Sequence, residues 1–318
     1  MTFIASVIAR EGVAIVADSF TTSMERILDE DTFIEYLKDA PVKTEVQTKK
    51  LATLFKKKPS YTRNYTDKLF QFGKDSAITT TGMAYLNGKL MKDLVGEIAQ
   101  KMKAASAAFK AKDKAKIVDE FAAHIKTELL EHLKKLNATD TDFIFSTYDH
   151  KKNAPRVFVI SIESIDKEHF DPANPDLVKI EDRSHLKVIT DGQDIIVDRL
   201  IFGSMYRSFY DVREEFLKYL WTKIDISELG KSEIEKEVRD FDFLRGLIMK
   251  DFFYIKFREL SLQEAVDFAT LLIKIVMDIQ VYTEKIPTVG GVIRLAVISK
   301  QNGFKWLSGD EIIKPKII

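Results

Sequence analysis

Cysteine is absent from the 318 residues of this sequence. Without it, the chain can have no disulfide scaffold, no thiol nucleophile and no zinc site built from cysteine ligands. A cysteine-free chain fits a reducing compartment, and we therefore expect a cytoplasmic location.

An excess of either charge is also missing, since Lys plus Arg and Asp plus Glu both number 49. Proteins that bind nucleic acid or an anionic membrane surface usually carry a basic excess. Long apolar runs are missing as well, and none approaches the roughly 20 residues that a membrane-spanning helix needs. The first apolar run, residues 3–9, meets Arg10 and Glu11 and is not a secretory signal. We expect no nucleic-acid partner and no membrane association.

Motifs for metals and cofactors are missing too. The five histidines are scattered along the chain, and none has a second ligand at the spacing of a compact metal motif. The sequence contains no glycine-rich phosphate loop and no G-x-S-x-G nucleophile motif. It therefore predicts no metal site and no cofactor.

The patterns that are present predict an α+β fold, with a pair of sheets between helix layers. Residues 2–9 and 13–17 are apolar, β-branched runs that predict a buried hairpin in the centre of a sheet. Apolar stripes at 86–102 and 117–133, with a third pattern at 262–279, are typical of helices packed on a sheet. The first two stripes are also candidate subunit interfaces. Further strands are expected at 68–72, 77–81, 143–148, 157–162, 188–190, 292–298 and 304–307.

We predict a single domain over residues 2–318 with two insertions, at about 24–65 and 222–258. The first insertion is charged, shows few strand patterns and has a helical pattern at 32–38. It is either a solvated surface excursion or a flap over a cleft. A further helical pattern follows residue 192.

Four residues stand in an order and spacing that carry chemistry. Asp18 follows Thr2 by sixteen residues, and Gly82 follows Lys68 by fourteen. Lys68 lies in the run Thr-Asp-Lys-Leu, and a Gly-Gly-Val run begins at Gly290. This pattern resembles mature proteasome β subunits, and the segment from Asp278 to Thr283 is similar to one in the bacterial HslV protease. Both are N-terminal-nucleophile hydrolases. The chain would be a divergent member with insertions.

The resemblance implies a four-layer αββα sandwich and a threonine peptidase that is active after removal of Met1. Thr2 would be the nucleophile, Lys68 the adjacent cation, Asp18 the partner of Lys68, and Gly82 the oxyanion donor. A threonine hydroxyl needs a base, and an N-terminal threonine has one in its own α-amine, with a reference pKa of about 7.7–8.0. Lys49 and Lys50 are rival positions for the lysine, but neither has a glycine fourteen residues on.

The resemblance also implies secondary catalytic residues and a substrate site. Asp191 stands where the family has a serine, and helix capping is its alternative interpretation. Asp278 matches a distal aspartate of the family, although Val281 stands where a serine is usual. Substrate-binding positions would be Thr21, Thr22, Thr80 and Ala84.

Three functions stay open at this point. The first is hydrolysis of peptide or protein substrates by a homo-oligomer, ring-shaped or helical, with any ATPase partner unidentified. The second is a catalytically silent structural subunit of the same fold. The third is an amidase of the N-terminal-nucleophile class that is not a peptidase.

Overall fold

A computed structural model describes residues 2–28, 55–64, 66–133, 138–166, 177–193, 196–197, 259–283 and 287–307. The chain divides into two compact units, one of Met1–Gln193 with Arg258–Ile318 and one of Asp194–Phe257. The elements below all belong to the first unit. The helical patterns expected at 32–38 and after residue 192, and the insertion expected at about 222–258, lie outside the described residues or almost entirely so.

The first sheet contains the predicted hairpin at its centre. Strands β1 (Phe3–Ile8) and β2 (Gly12–Ala17) are completely buried, as their almost entirely apolar sequences require. The other strands are β12 (Val188–Gly192), β13 (Arg294–Ser299) and β14 (Gly303–Trp306). The order is β12-β1-β2-β13-β14, and every neighbouring pair is antiparallel.

The second sheet is also five-stranded and antiparallel. Its strands are β5 (Leu69–Gln71), β6 (Ser76–Thr80), β9 (Ala138–Asp149), β10 (Ala154–Asp166) and β11 (Val178–Asp182). They follow the order β11-β10-β9-β6-β5. Lys68 therefore precedes an edge strand of this second sheet.

The two sheets pack on each other through one apolar cluster. Ile4 and Ile15 of the first sheet belong to the same buried cluster as Ile144 of the second. The hydroxyls of Ser6 and Ser146 are 2.9 Å apart, so a hydrogen bond also joins the sheets inside this layer.

Helices cover the outer faces of the sheets. Helices α1 (Met91–Lys101), α2 (Ala107–Ala111) and α3 (Lys114–Leu133) pack on the second sheet, where Phe121 meets Phe72, Phe143 and Phe145. Helix α4 (Leu262–Thr283) packs on β1, β2 and β13. The protein is therefore a mixed α/β structure built on antiparallel sheets. Most apolar side chains of the stripes at 86–102 and 117–133 pack in the core against the second sheet, whereas Leu90 is exposed.

Two hairpins differ from the sequence-based expectation. The charged segment 24–65 is bounded by strands, since β3 (Phe20–Leu28) pairs with β4 (Phe55–Asn64) as an antiparallel ribbon. At the base of this ribbon, β3 and β4 carry Thr21, Thr22, Tyr61 and Thr62. Threonine and tyrosine favour strands, although the segment as a whole is highly charged. The helix predicted over 86–102 begins only at Met91. The residues before it form a hairpin instead, in which β7 (Tyr85–Leu86) pairs with β8 (Lys89–Leu90) through a tight turn at Asn87 and Gly88, both at positive φ.

In the described ranges, the structure contains no helix that is both long and apolar enough to cross a membrane.

Candidate functional site

A buried ion pair forms the centre of the site. Lys68 Nζ donates to Asp18 Oδ1 at 2.7 Å and to the carbonyl oxygen of Phe20 at 2.5 Å. The Asp18 side chain is fully buried and that of Lys68 is 6% exposed. Such a pair is held only if its remaining lone pairs and protons are also satisfied.

Backbone N–H groups donate hydrogen bonds to both carboxylate oxygens of Asp18. The N–H of Phe3 donates to Oδ1 at 3.0 Å, while the N–H groups of Phe20 and Gly290 donate to Oδ2 at 3.1 and 3.2 Å. Donors from three segments thus converge on one carboxylate, and one of these segments lies 272 positions away in sequence. The Gly-Gly-Val run that begins at Gly290 contributes one of these donors.

Burial changes the proton affinity of both partners. Burial lowers the pKa of Lys68, and the charge of Asp18 acts against this shift. Burial raises the pKa of Asp18, and Lys68 with the N–H donors acts in the opposite direction. The pair is therefore held charged by mutual contact in surroundings that favour neutral groups.

The two partners reach this contact from different sheets. Asp18 follows β2 of the first sheet, whereas Lys68 precedes β5 of the second. A pairing of the strand at 68–72 with the N-terminal hairpin, which would have put Thr2, Asp18 and Lys68 on neighbouring strands, does not occur. β5 pairs with β6, so the side chains meet across the stacked sheets instead of along one sheet. Lys49 and Lys50 lie outside the described residues.

A small cavity opens beside the ion pair. Its volume is about 30 Å³, enough for only one or two water molecules. The Lys68 side chain lines this cavity and brings a positive charge to it. The other lining residues are Thr2, Phe20, Thr21, Thr22, Thr66, Thr80, Thr81, Gly82, Met83, Ala84 and Met91.

Thr2 lies at the mouth of the layer between the sheets. Side chains alternate along a strand, so Thr2 shares its face with Ile4 and Ser6, both of which point into that layer. Its carbonyl oxygen accepts from the N–H of Gln193 at 2.6 Å. Thr2 is 3% exposed. The strand register therefore fixes Thr2 against the cavity.

Gly82 ends the segment that follows β6 and also lines the cavity. Its φ of 81° lies in the left-handed region, which glycine adopts without strain. The next residue, Met83, donates its N–H to Thr141 Oγ1 at 3.2 Å, which fixes the chain on leaving Gly82. A side chain at position 82 would strain this turn.

The expected substrate-binding residues all line the same cavity. Thr21 and Thr22 come from β3, Thr80 from β6, and Ala84 from the segment before α1. The hydroxyls of Thr21 and Thr66 form a short hydrogen bond, which ties the ribbon to the segment that carries Lys68. The lining is dominated by uncharged, mostly small side chains.

The two secondary aspartates have different positions. Asp191 lies within β12, not at the start of a helix, and its Oδ2 accepts from the hydroxyl of Thr81 at 2.6 Å. Asp278 is exposed on α4 and does not line the cavity. The buried stripe of α4 includes Leu272, Val276 and Gln280, so the helical phase turns Asp278 to solvent. The expectation that Asp278 lies near Thr2 is therefore not met.

Sequence reasoning missed several contributors to the site. Thr81 carried no motif of its own, although it directly precedes Gly82. Ser19 Oγ accepts from the N–H of Val292 at 2.7 Å and so holds the Gly290 segment in place. Phe20 contributes only its backbone to the ion pair. Backbone contributions of this kind leave no signature in residue type.

Thr2, the Lys68 ammonium and the Gly82 turn thus line one cavity, and a cation near a hydroxyl or an amine is suited to its activation. Over the described ranges, His, Asp and Glu side chains form no cluster of three or more that could hold a metal ion.

No protein-family model matches the chain, and no curated protein matches it. Among solved structures, a mutant form of Anbu from Hyphomicrobium sp. strain MC1 is similar to it, with 12% sequence identity and a TM-score of 0.46. The match covers 98% of this chain and 89% of that chain. A likeness at this level leaves the function to be argued from the site itself.

Proposed function

We propose that this chain is an N-terminal-nucleophile hydrolase of amide bonds, with a four-layer αββα sandwich and Thr2 as its nucleophile. The observation that carries the proposal is the contact of Thr2, Lys68 and Gly82 with one cavity, where Asp18 holds Lys68. A hydroxyl, a cation, an oriented carboxylate and a glycine turn are the parts that threonine-based acyl transfer needs.

The first step requires that Met1 has been removed, so that Thr2 carries a free α-amine. The amine accepts the proton of the Thr2 hydroxyl as the oxygen attacks the substrate carbonyl carbon. The Lys68 ammonium disfavours protonation of the amine before attack and stabilises the negative charge that develops on the oxygen. In this scheme Asp18 stabilises the charged form of Lys68 and holds its side chain in a fixed orientation.

The second step needs a donor for the tetrahedral oxyanion, and Gly82 N–H has that role. A single such donor contributes about 2.7–4 kcal/mol to transition-state stabilisation. The α-ammonium then passes its proton to the leaving amine, and an ester to Thr2 forms. Water, activated by the same amine, cleaves this ester and restores the hydroxyl.

The site also supports a restricted choice of substrate. The cavity is narrow, and its side chains are threonine, alanine, methionine and phenylalanine apart from Lys68, which Asp18 neutralises. A substrate whose acyl side carries a small uncharged side chain meets these conditions, with only that side chain entering the cavity. A charged side chain would be buried there without a partner, which is costly.

The test is labelling with a β-lactone, whose ring opens on attack by a hydroxyl so that the protein gains the full mass of the reagent. Intact mass first establishes that Met1 is absent. We expect one adduct, mapped to Thr2, and hydrolysis of a fluorogenic peptide amide. Lys68→Ala should reduce hydrolysis by about 100-fold or more. Asp278→Ala is the matched control and should change it less than about twofold, because Asp278 is exposed and outside the cavity. An adduct elsewhere, or full activity of Lys68→Ala, would contradict the mechanism.

A second candidate is a catalytically silent structural protein of the same fold. The cavity volume of about 30 Å³ favours it, because a peptide needs more room than that. In that case the same experiment gives no adduct and no hydrolysis from protein that lacks Met1.

We further propose that the chain forms a homo-oligomer. Exposed apolar side chains on α4 support this, namely Leu271, Val281 and Tyr282, which is 88% exposed. Burial of such side chains between subunits would remove apolar area from water. Sedimentation at micromolar concentration should give a mass above one protomer, and a mass of one protomer would contradict the proposal.

A further inference from the structure

We infer that Asp191, held in place by the hydroxyl of Thr81, opposes the electrostatic effect of Lys68 on the α-amine of Thr2. In this way Asp191 sets the pH range in which the site works. This inference rests on the proposed function. Thr81 is a positioning residue in this scheme because it acts only through Asp191.

The strand register brings Asp191 to Thr2. In the β1–β12 pair, Ile4 lies opposite Asp191 and Phe3 opposite Gly192. Position 193 therefore corresponds to Thr2, which makes Asp191 its diagonal neighbour on the same sheet face. Diagonal neighbours of antiparallel strands lie about 7–8 Å apart, within reach of side chains.

The Asp191 side chain points into the layer between the sheets. Ile189, two residues earlier in β12, belongs to the inter-sheet cluster, and alternation puts Asp191 on its face. The hydrogen bond from Thr81 agrees with this direction, because Thr81 belongs to the segment that leaves the second sheet. The carboxylate is thus directed to the end of the layer where Thr2 lies.

Thr81 is itself firmly held. Its N–H donates to the carbonyl oxygen of Asp142 at 3.0 Å, and the residue is 6% exposed. A hydroxyl fixed in this way stabilises the charged form of the carboxylate that accepts from it. Asp191 also receives the N–H of Gly192 on its other oxygen, at 2.7 Å. The Asp191 carboxylate is therefore held in a fixed orientation by donors on both oxygens.

Two opposite influences then act on the α-amine of Thr2. The cation of Lys68 favours the free amine, whereas a carboxylate nearby favours the ammonium. Among the described residues, the other charged groups on the elements around the cavity include Asp18, which pairs with Lys68, Asp67, which pairs with Arg294 and Lys92, and Asp142, whose Oδ1 accepts from the N–H of Ile162 at 3.1 Å. β3 also carries Glu25 and Arg26. Asp191 is thus the carboxylate of this group that the strand register brings beside Thr2.

The consequence is a shift of the acid limb of the pH–rate profile. Asp191→Asn removes the negative charge but keeps an oxygen that can accept from Thr81. The amine then loses its proton more readily, and the midpoint of the acid limb of kcat/KM should fall by about one pH unit, as expected for a charge at this separation.

Variants of Thr81 test the positioning role. Thr81→Val removes the hydroxyl at nearly constant volume and should move the midpoint in the same direction by a smaller amount. Thr81→Ser should restore the wild-type profile. Addition of Thr81→Val to Asp191→Asn should cause no further shift, because the two residues act as one unit.

The experiment measures kcat/KM against pH for these four variants and the wild type, together with β-lactone acylation of Thr2. Absence of acylation in the wild type overturns the proposed function itself. Acylation with superimposable profiles for wild type and Asp191→Asn overturns only this inference. If Asp191→Asn does not fold, the contrast between Thr81→Val and Thr81→Ser decides, and identical midpoints for these two contradict the positioning role.

Discussion

Replacement of Asp18 by asparagine perturbs the contact between the two sheets most directly. An asparagine side chain has one oxygen, which can accept, and one NH₂ group, which can only donate. Because both oxygens of Asp18 accept hydrogen bonds, the NH₂ group of asparagine must point at hydrogen-bond donors in either orientation. In one orientation it opposes the N–H groups of Phe20 and Gly290, and in the other it opposes Phe3 and Lys68. The Lys68 ammonium, only 6% exposed, is left without a counter-charge in either case. Breaking a buried pair from one side costs about 3–5 kcal/mol, and we expect a loss of that size in the free energy of unfolding.

The loss should depend on pH in a defined direction. Burial already lowers the pKa of Lys68, and removal of the Asp18 charge, which opposes that shift, lowers it further. Between the folded-state pKa and the ordinary value of 10.5, the unfolded chain binds more protons than the folded chain. Stability then rises with pH in this window, and for Asp18→Asn the window begins at a lower pH than for the wild type. The difference between variant and wild type should therefore shrink as the pH is raised from 7 toward 10.

The assay is urea unfolding followed by circular dichroism at several pH values, with the midpoint converted to free energy. Asp67→Asn is the matched control, because Asp67 precedes Lys68 but is 28% exposed and pairs with Arg294 and Lys92 at the surface. It should cost less than about 1 kcal/mol. A double-mutant cycle with Lys68→Met should give a coupling of several kcal/mol. If Asp18→Asn costs no more than the control, or if the difference grows with pH, the reasoning about the buried pair is refuted.

Other positions give independent predictions. Gly192→Ala places a methyl group 2.0 Å from the carbonyl oxygen of Thr2 at a φ of +90°; we expect a loss above about 2 kcal/mol and loss of β-lactone labelling, and labelling at the wild-type rate would contradict this. Phe121→Ala leaves a cavity in the aromatic cluster and should cost about 3–5 kcal/mol in thermal or denaturant unfolding, with activity retained in the folded fraction. The pKa of Glu128 is lowered chiefly by the hydrogen bond from the Asn87 amide, so this interaction stabilises the fold above the ordinary value of 4.5 and is lost in acid. Glu128→Gln should therefore cost about 1 kcal/mol in the free energy of unfolding at pH 7 and progressively less as the pH falls from 4.5 through the folded-state pKa. Urea unfolding over that pH range measures this, and a cost that does not change with pH would contradict it.

The strands and helices with strong periodicity could be predicted from the sequence because burial determines their pattern. The hairpin at 2–17 and the helix at 262–279 appear within a few residues of their predicted bounds. The ribbon that contains Phe20–Leu28 did not, because charged residues at its tip hide the strand-forming residues at its base. A local pattern describes a segment's own composition and not the partner that it will pair with.

In the site, too, local spacing could be predicted from the sequence, whereas contacts that depend on how the sheets and helices pack could not. Spacing alone selected Lys68 over its rivals, since only Lys68 has a glycine at the required distance. Spacing could not show that Lys68 and Asp18 approach each other from opposite sheets, because that depends on how the sheets stack. The contact between Thr81 and Asp191 joins residues 110 positions apart and belongs to no motif. The outward orientation of Asp278 depends on the rotation of a helix about its axis, which a match of short segments does not specify.

The donors around Asp18 have a consequence for the order of events during synthesis. The N–H of Gly290 reaches this carboxylate across 272 positions of sequence, and β2 receives its neighbour β13 only from residues 294–299. A ribosome must therefore complete nearly the whole chain before the carboxylate obtains its last donor and the first sheet closes around it. Until then Asp18 lacks one of its three backbone N–H donors, and the buried carboxylate is not fully satisfied. The environment of the ion pair is thus completed only late in synthesis, by a segment remote from both of its partners.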